Sequence, residues 1–467
     1  MKWYVAVVLI LLAALLLDAG LLAYSMYVLL GLMLLTRFLA RSWINNLSAE
    51  RAVGPARPAA DDRDEAERPT GGMTAEIGDR VKVRVTVTNS GRLPVPWVLL
   101  EDMLPPDALD KRFPRLKVKG KRLRIAMLSA GGSTKLDYTV ECLTRGYFQI
   151  GPLVMENGDL FGLHRRFRVD AEPTFLLVYP KIVPLEGYDL TSRRPIGDVL
   201  MTHRLFEDPT RVSGVRPYEL GDPLNRVHWR ATARTGVLHS KVHEPSTLSG
   251  ATVLLDFHTA GYPTRGEPFR SELAVTASLS LANAVYEMGQ QVGLVTNGRD
   301  AADRIRADVG AGFPRPHQTD PRTRQAARAT GQMTEESHRL RPQIVETRRG
   351  VEQLLRMRET LARVELTDGL TFAELVTETT SRLPRDATIV AVLPDVPEAT
   401  AVALGGLRRA GRAITVVLIQ HDENNLETNY GRLIAEGVRD IRHLKDEAEV
   451  PDLCRKQVDR SAPYSLV

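Results

Sequence analysis

The sequence has little cysteine, few aromatic residues and almost no excess of one charge. Its 467 residues include only two cysteines, Cys142 and Cys454, which excludes a disulfide framework or a cysteine-rich zinc module and suits a reducing compartment. Lys and Arg number 62 against 57 Asp and Glu, and the resulting net charge of +5 is too small to indicate nucleic-acid binding. Apolar residues make up 43% of the chain, which is enough to build hydrophobic cores and excludes a wholly disordered protein.

The apolar residues are concentrated at the N-terminus. From Trp3 to Leu39 the chain is almost wholly apolar, with an interruption at Asp18-Ala19-Gly20. A single helix would place Asp18 near the middle of a bilayer, where a carboxylate is costly, whereas two helices joined there place it at the surface. A signal peptide would need small residues at a cleavage site before the second apolar run, and the sequence has none. We therefore expect a transmembrane helical hairpin over residues 1–43, anchored by residues 3–40.

Basic residues flank this hairpin at both ends. Lys2 precedes it, and Arg37, Arg41 and Arg51 follow it, while the connection carries no basic residue. The positive-inside rule then places both ends in the cytoplasm. We expect a multi-pass bacterial plasma-membrane protein with two helices and a soluble body that faces the cytoplasm.

Residues 44–180 are predicted to form an immunoglobulin-like β-sandwich domain. Residues 80–88 alternate polar and apolar side chains with a period of two, and Asn89-Ser90-Gly91 supplies a turn. Within this domain, residues 54–72 are rich in Pro, Gly and charge and are predicted to be a flexible insertion. Further short strands, at the spacing typical of a sandwich, are predicted over residues 97–101, 122–128, 135–142, 148–155 and 175–179.

Residues 251–467 alternate between strand and helix patterns, which predicts a parallel sheet covered on both faces. Strands are predicted over residues 251–256, 291–296, 387–393 and 413–419, and helices over residues 269–290, 398–410 and 426–436. Inside this α/β domain, residues 299–349 carry eleven Arg against seven acidic residues without sustained periodicity. We predict a basic surface loop there, as a candidate for contact with anionic lipid.

The connector between the two domains, residues 181–250, contains the most distinctive stretch. Residues 213–236 read SGVRPYELGDPLNRVHWRATARTG. Gly221 is expected to make a turn, Asp222 and Pro223 to begin a short helix, and Gly236 to end it in a left-handed conformation. Residues 237–244 then form a strand.

This stretch resembles the signature of the domain-of-unknown-function 58 family, in which Arg-x-Tyr-x-x-Gly-Asp is followed by Trp and by Ser/Thr-Ala-Arg. Asn225 departs from the family, which usually has Arg there. Arg145-Gly146 and Asp159-Leu-Phe-Gly-Leu163 are similar to two further family elements, and the domain layout matches as well. We take the matching residues as signature and interaction residues: Arg216, Tyr218, Gly221, Asp222, Trp229, Thr232, Ala233, Arg234, Lys241 and Glu244.

The resemblance implies that the α/β domain is similar to a von Willebrand factor A domain, a Rossmann-like fold. Such domains can hold a divalent metal with an Asp-x-Ser-x-Ser turn, a distant Thr and a second Asp. Here the turn reads Asp256-Phe-His258-Thr-Ala260, so the Asp is kept and both serines are lost. With Asp395 as the candidate second carboxylate, the pair makes a poor magnesium site, and we expect neither metal nor cofactor.

No catalytic set stands out in the sequence. Half of the ten histidines lie between His203 and His258, with His228, His239 and His243 between them, but zinc needs converging ligands that sequence does not reveal. The phosphate-binding loop Gly-x-x-x-x-Gly-Lys-Ser/Thr, the Gly-x-Ser-x-Gly motif and an activated Cys–His pair are all absent. We therefore predict that the protein is not an enzyme.

Two interpretations of the signature stretch stay open. Arg216, Asp222 and Arg234 would form a buried ion network that fixes a structural corner, or they would face outward as a ligand site. Trp229 is expected to be a buried anchor of its short helix.

Three classes of function remain. The favoured one is a membrane-anchored interaction or scaffold protein, for which the resemblance implies a MoxR-type AAA+ ATPase partner in the assembly or maturation of other proteins. The alternatives are an envelope-associated enzyme and a scaffold that contacts lipid through residues 299–349.

Overall fold

The computed structural model describes residues 2–16, 20–56, 73–159, 164–186, 207–218, 227–245, 250–305, 321, 323–331, 333, 338–384, 387–420 and 423–454. Its contacts divide the chain into two compact units. The first comprises Met1–Lys181, Asp300–His338 and Leu361–Val364, and the second comprises Ile182–Arg299, Arg339–Thr360 and Glu365–Val467.

Two apolar helices open the first unit, α1 (Lys2–Leu16) and α2 (Gly20–Asn45). The expected turn at Asp18 lies outside the described residues. Among the described helices, one stretch is long and apolar enough to cross a membrane, Ala23–Asn45 in α2. The 15 residues of α1 span about 22 Å, which is shorter than the ~30 Å hydrocarbon core of a bilayer.

The C-terminal turn of α2 belongs to the hydrophobic core of the first unit. Trp43 and Ile44 are buried among the side chains of the β-strands. The guanidinium of Arg168 donates to the carbonyl oxygens of Ile44 and Asn45 at 3.1 and 3.0 Å. A cation at this end satisfies carbonyls that have no partner within the helix and complements the helix dipole. The helix therefore joins the sheets without an intervening linker.

Two four-stranded antiparallel sheets share this core, in the orders β1-β3-β7-β5 and β10-β9-β4-β6, and a third sheet has the order β2-β11-β8. The strands are β1 (Leu47–Pro55), β2 (Met73–Glu76), β3 (Arg80–Asn89), β4 (Val95–Asp102), β5 (Leu116–Gly120), β6 (Leu123–Leu128), β7 (Ser133–Cys142), β8 (Gly146–Ile150), β9 (Leu153–Gly158), β10 (Arg165–Asp170) and β11 (Thr174–Tyr179). The period-two prediction for residues 80–88 is confirmed, because the four valines of β3 are buried and the polar residues that alternate with them, as far as Thr88, are exposed or half-buried.

Two boundaries in this unit differ from the prediction. Residues 148–155 were expected to form one strand, but Gly151 adopts a φ of 91° and Pro152 lacks an N–H, so the chain breaks into β8 and β9. The predicted flexible insertion begins within β1, whose last residue is Pro55. The remainder of that insertion, residues 57–72, lies outside the described residues.

Arg51, expected to contribute to the basic flank of the hairpin, is instead buried in the first unit. Its guanidinium pairs with the carboxylate of Asp102, and both side chains are almost fully shielded from solvent. Asp102 also accepts a hydrogen bond of 2.7 Å from the hydroxyl of Tyr138, whose pKa is raised by burial and by this carboxylate. The charge of Arg51 is therefore neutralised inside the protein, which leaves Arg37 and Arg41, both within α2, as the basic flank of the apolar stretch.

The predicted basic loop over residues 299–349 is helical in part. A third helix of the first unit spans Arg324–Gly331, with Ala327 buried against Met103, Val154 and Phe167. The guanidinium groups of Arg324 and Arg328 each contact the Glu101 carboxylate at 2.6 Å. Burial raises the pKa of Glu101, but the two arginines outweigh burial and lower it. Two of the eleven arginines are thus held by the protein itself.

The second unit contains a six-stranded sheet in the order β17-β15-β14-β19-β20-β21, parallel except for the edge strand β17. The remaining strands of the chain are β12 (Glu207–Pro217), β13 (His239–Pro245), β14 (Gly250–Leu255), β15 (Gln291–Thr296), β16 (Arg299–Asp300), β17 (Gln343–Arg348), β18 (Val364–Glu365), β19 (Ala387–Leu393), β20 (Ile414–Ile419) and β21 (Asp440–Leu444). The remaining α-helices are Trp229–Thr235, Phe269–Glu287, Val351–Arg363, Phe372–Thr379, Glu398–Arg409 and Glu423–Ala435. All four strands and all three helices predicted within residues 251–467 are present. The strands β16, β17, β18 and β21 and the helices Arg324–Gly331, Val351–Arg363 and Phe372–Thr379 were not predicted.

Candidate functional site

The signature residues lie on a small module of the second unit, which we call the signature module. It consists of β12 (Glu207–Pro217), the helix Trp229–Thr235 and β13 (His239–Pro245). The two strands pair antiparallel as a separate two-stranded sheet, with register shifts in β12. Val227 precedes the helix and is buried where it bridges to Ser240.

The short helix is held at both ends by residues near it in sequence. The Nδ1 atom of His228 accepts from the backbone N–H of Ala231 at 3.0 Å, so His228 is the N-cap. Gly236 has a φ of 73° and donates to the carbonyl of Thr232 at 2.9 Å, which confirms the predicted left-handed end. The expected N-cap at Asp222 is wrong, because the helix begins seven residues later. Gly221 and Asp222 themselves lie outside the described residues.

Thr232 has a positioning role within the module. Its hydroxyl oxygen accepts from the backbone N–H of His239 at 3.1 Å, which ties the helix to the first residue of β13. Tyr218 makes a matching backbone contact, since its N–H donates to the carbonyl of Leu238 at 2.8 Å. These contacts fix the path of the chain on both sides of the helix.

Trp229 is not the buried anchor that the sequence suggested. Its side chain is 69% exposed at the first position of the helix. Three further apolar side chains of the same module, Val215, Val237 and Leu238, are also exposed. We call these four residues the signature surface.

The charged signature residues differ in exposure. Arg234 is exposed in the last turn of the helix, so it is not part of a buried ion network. Arg216 is half-buried and its guanidinium donates to the carbonyl of Pro217 at 3.2 Å. Lys241 is half-buried on β13, opposite Val215, and Ala233 is exposed beside Arg234. Glu244 lies near the end of β13.

A second candidate site lies at the carboxyl ends of the parallel strands. Asp256 directly follows β14 and is buried, and its Oδ1 atom accepts from the backbone N–H of His258 at 3.1 Å and from Nδ2 of Asn297 at 2.9 Å. Asn297 follows β15, and its Oδ1 accepts from the backbone N–H of Phe257 at 2.6 Å. Burial raises the pKa of Asp256, and the two N–H donors oppose that rise. Asn297, which the sequence analysis missed, therefore fixes the turn after β14.

The residues at this edge do not fit a divalent metal. Both polar contacts of Asp256 Oδ1 are N–H donors, and His258 uses its Nδ1 atom to accept from the backbone N–H of Ala260 at 3.2 Å. Asp395 is exposed, and its Oδ1 accepts from the N–H of Val396 and from Nδ2 of Asn429. Within the described ranges, no three His, Cys, Asp or Glu side chains are placed to hold a metal ion.

Backbone carbonyls at this edge accept hydrogen bonds from an arginine side chain. The guanidinium of Arg270 donates to the carbonyl oxygens of Gly261, Pro394 and Ile419 at 3.1, 2.6 and 3.1 Å. These acceptors follow β14 and β19 and end β20, so one side chain joins three parallel strands of the sheet. No sequence pattern pointed to Arg270, because its acceptors are backbone atoms far away along the chain.

The histidine cluster seen in the sequence does not converge in the described part of the chain. His228 and His258 each use Nδ1 to cap a helical turn, and Nδ1 of His239 lies 2.7 Å from the carbonyl of Val237. His203 lies outside the described residues. These contacts favour local structural roles for the three rings.

Comparison with known proteins agrees with the residue pattern. The family model for the protein of unknown function DUF58 matches residues 214–313. The uncharacterized protein YeaD of Bacillus subtilis (strain 168) is 25% identical over 224 residues, which are 48% of this chain and 53% of that protein. The chain is therefore similar to the DUF58 family over these residues. It spans about half the length of the curated relative, and the family match covers most of the signature module and the turn after β14.

Solved structures align with parts of this chain at low similarity. The CARDB domain of a Pyrococcus furiosus protein has 12% identity and a TM-score of 0.16, over 28% of this chain and 94% of that one. The mussel byssus proximal thread matrix protein 1 has 8% identity and a TM-score of 0.27, over 44% of this chain and 46% of that one. Both TM-scores are too low to carry an argument about function.

Proposed function

We propose that this DUF58 protein is a non-enzymatic, membrane-anchored interaction protein whose signature surface binds a MoxR-type AAA+ ATPase. The pair would act in the assembly or maturation of other proteins. The observation that supports this most is the exposure of Trp229 on a helix that is capped at both ends. Trp and Arg dominate the energetics of protein interfaces, and Arg234 lies on the same short helix.

The proposal includes a topology. The helices α1 and α2, which contact one another, would form a transmembrane hairpin, and Arg37 and Arg41 would keep the body in the cytoplasm. The two four-stranded sheets would be an immunoglobulin-like sandwich, and the six-stranded sheet would be a von Willebrand factor A-like domain without its metal. A domain of this type suits a binding role, because binding a partner protein requires no catalytic group.

Co-purification in mild detergent tests the partner. The full chain, the Trp229→Ala variant and the control Ile434→Ala, which removes an exposed apolar side chain of the same unit, would each be isolated. We expect the native chain and the control to retain a stoichiometric AAA+ ATPase and Trp229→Ala to bind it at least about tenfold more weakly. Equal retention by all three proteins would remove the signature surface from the interface, and absence of any ATPase would refute the partnership.

Protease accessibility tests the topology. Protease added to intact spheroplasts should spare the arginine-rich residues 299–349 and cleave them only after lysis. Cleavage before lysis would place the body outside the cytoplasm and refute this part of the proposal.

A further inference from the structure

The end of the first unit at which α2 enters is closed by two loops. The backbone N–H and the hydroxyl of Ser90 both donate to the carbonyl of Asn46, directly after α2, at 2.9 and 2.8 Å. The side-chain amide of the neighbouring Asn89 donates to the carbonyls of Leu93 and Ser129 at 2.9 and 3.0 Å. The loops that contain Leu93 and Ser129 therefore lie beside the end of the helix.

Apolar side chains are unusually exposed at this end. Ile125 and Met127 are 70% and 79% exposed, and they lie two residues apart on β6, so they project from the same face of that strand. Met127 precedes Ser129 by two residues, a rise of about 7 Å along a strand. Leu93 is nearly half exposed. We call Leu93, Ile125 and Met127 the apolar rim.

The rim cannot be explained as part of the core. The strand β6 is the edge of its sheet, and the two side chains alternate with residues that point the other way. Clustered, exposed apolar groups of this kind on a folded protein mark a surface that is covered in its working environment.

Basic side chains lie around this end. Arg37 and Arg41 lie in the second half of α2, Arg92 directly precedes Leu93, and the guanidinium of Arg124 on β6 donates to the carbonyl of Lys135 on β7 at 2.7 Å. Asp170, which also lies near the end of α2, is paired with Arg168 at 3.1 Å. A surface that is both apolar and basic complements the anionic headgroup layer of a bilayer, where apolar side chains insert and basic ones pair with lipid charges.

The length of α2 places this end at the headgroup layer. Leu39 packs against the core of the first unit, and Trp43 and Ile44 are buried in it, so the helix is free of the sheets only from Gly20 to about Leu39. About 20 residues span ~30 Å, the thickness of the hydrocarbon core. The sheets therefore begin where the hydrocarbon ends.

We infer that the apolar rim and the basic residues around it contact the anionic surface of the bilayer in which α2 is anchored. The inference rests on the proposed membrane anchor. It assigns lipid contact to β6 and the loop of Leu93, in place of the basic segment over residues 299–349, two of whose arginines are held by Glu101.

Site-specific fluorescence tests this contact on the full chain. Met127→Cys would be labelled with an environment-sensitive fluorophore and reconstituted into vesicles of phosphatidylcholine with phosphatidylglycerol, carrying nitroxide-labelled lipid as a quencher. The native Cys142 and Cys454 are buried, and burial raises the pKa of each thiol to about 11, so the label reaches the introduced cysteine first.

The control places the same label at the opposite end of the same unit. Ile77 is 41% exposed in the turn before β3, and β3 runs from there to Asn89, a distance of about 30 Å. Ile77→Cys therefore replaces an exposed apolar residue of the same kind, far from the end of α2.

We expect the label at position 127 to be quenched several-fold more than the label at position 77, and less strongly in vesicles of phosphatidylcholine alone. Equal quenching at the two positions in protein that stays with the vesicles after a carbonate wash would overturn the lipid contact and leave the anchor intact. The label at position 127 could instead be shielded from solvent in detergent without lipid, to a degree that rises with protein concentration. That result would show that the rim contacts a second copy of the chain and would overturn the lipid contact. Protein that fails to stay with the vesicles would overturn both the anchor and the contact.

Discussion

The pairing of Glu101 with two arginines can be tested by removing one charge. The Glu101→Gln substitution keeps the shape of the side chain and one acceptor oxygen, but it removes the carboxylate that Arg324 and Arg328 share. The helix Arg324–Gly331 would then be held mainly by the packing of Ala327 against Met103, Val154 and Phe167. We expect this helix to open more often while the rest of the first unit stays folded.

The size of the effect follows from the geometry. Hydrogen bonds to charged groups contribute about 1.5–3 kcal/mol each when buried. The carboxylate of Glu101 is buried, but the two arginine side chains are 35% and 42% exposed, so solvent screening moves the value towards the lower end. We expect a loss of about 2 kcal/mol in the free energy of helix docking, which corresponds to about 30-fold faster amide exchange in that helix.

The pH dependence of the same helix gives an independent readout. The pKa of Glu101 is lower than its ordinary value of 4.5, so the carboxylate stabilises the docked state at all pH values above that value. This contribution is lost as the pH falls through the lowered pKa, when the folded protein also takes up the proton. The protection factor of the helix should therefore fall at acid pH in the native chain, and this loss should be absent in Glu101→Gln.

Hydrogen exchange read by mass spectrometry over residues 324–331 measures both effects. Glu156→Gln is the matched control, because Glu156 is equally buried on the neighbouring strand β9 but pairs with Arg165 at 3.3 Å. The control should leave exchange in the helix unchanged. If Glu101→Gln exchanges as slowly as the native chain, the ion pair does not hold the helix and the reasoning is refuted.

Three further predictions concern the candidate sites. Trp229→Ala should change stability by no more than about 0.5 kcal/mol, because the side chain is exposed, and a melting-temperature loss of many degrees would show that it is packed. Asp256→Asn should be at least as stable as the native chain in urea denaturation at pH 7. Burial raises the pKa of Asp256, so at pH values above that pKa the ionised carboxylate costs stability, and the advantage of the variant should shrink as the pH falls. Strong destabilisation of the variant at pH 7 would contradict this. Calorimetric titration of the full chain in detergent with magnesium or manganese should detect no micromolar binding, and a micromolar site abolished by Asp256→Asn would overturn the interpretation of that edge.

Strands and long helices were predictable because their signals are local. Residues 80–88 alternate in polarity, and the resulting strand buries every second side chain. Residues 387–393 form a continuous apolar run, and β19 occupies that range in the middle of the six-stranded sheet, where both faces are covered. The edge strand β17 escaped prediction because its side chains are half-buried and its sequence QIVETR lies in a charged context.

The burial of Trp229 was predicted wrongly for a physical reason. A large apolar residue anchors a helix when further apolar residues follow at helical spacing and form a stripe. The helix Trp229–Thr235 reads WRATART, in which no such stripe exists, and none of its residues is buried. The apolar character of Trp229 alone therefore did not predict its burial. The lack of other apolar residues at helical spacing correctly indicates an exposed helix.

The ion pairs could not be predicted from the sequence. Arg324 and Arg328 are four residues apart, with Ala327 between them, which is a helical spacing. Their common partner Glu101 lies more than 200 residues away along the chain, so nothing local distinguishes these arginines from nine others in the same basic segment. The same holds for Arg51, whose partner Asp102 is on β4.

The two candidate sites differ in what they leave available for function. At the carboxyl edge of the six-stranded sheet, Asp256 accepts from Asn297 and from the backbone of His258, and Arg270 donates to the carbonyls of Gly261, Pro394 and Ile419. Buried polar groups that already have partners would have to lose them before binding a ligand, and each loss costs about 1–3 kcal/mol. The signature surface has no such cost, because Trp229 and Arg234 are already exposed on a helix fixed by His228 and Gly236. Under the proposed function, recognition falls to the signature module, while the contacts at the strand-end edge stabilise the six-stranded sheet.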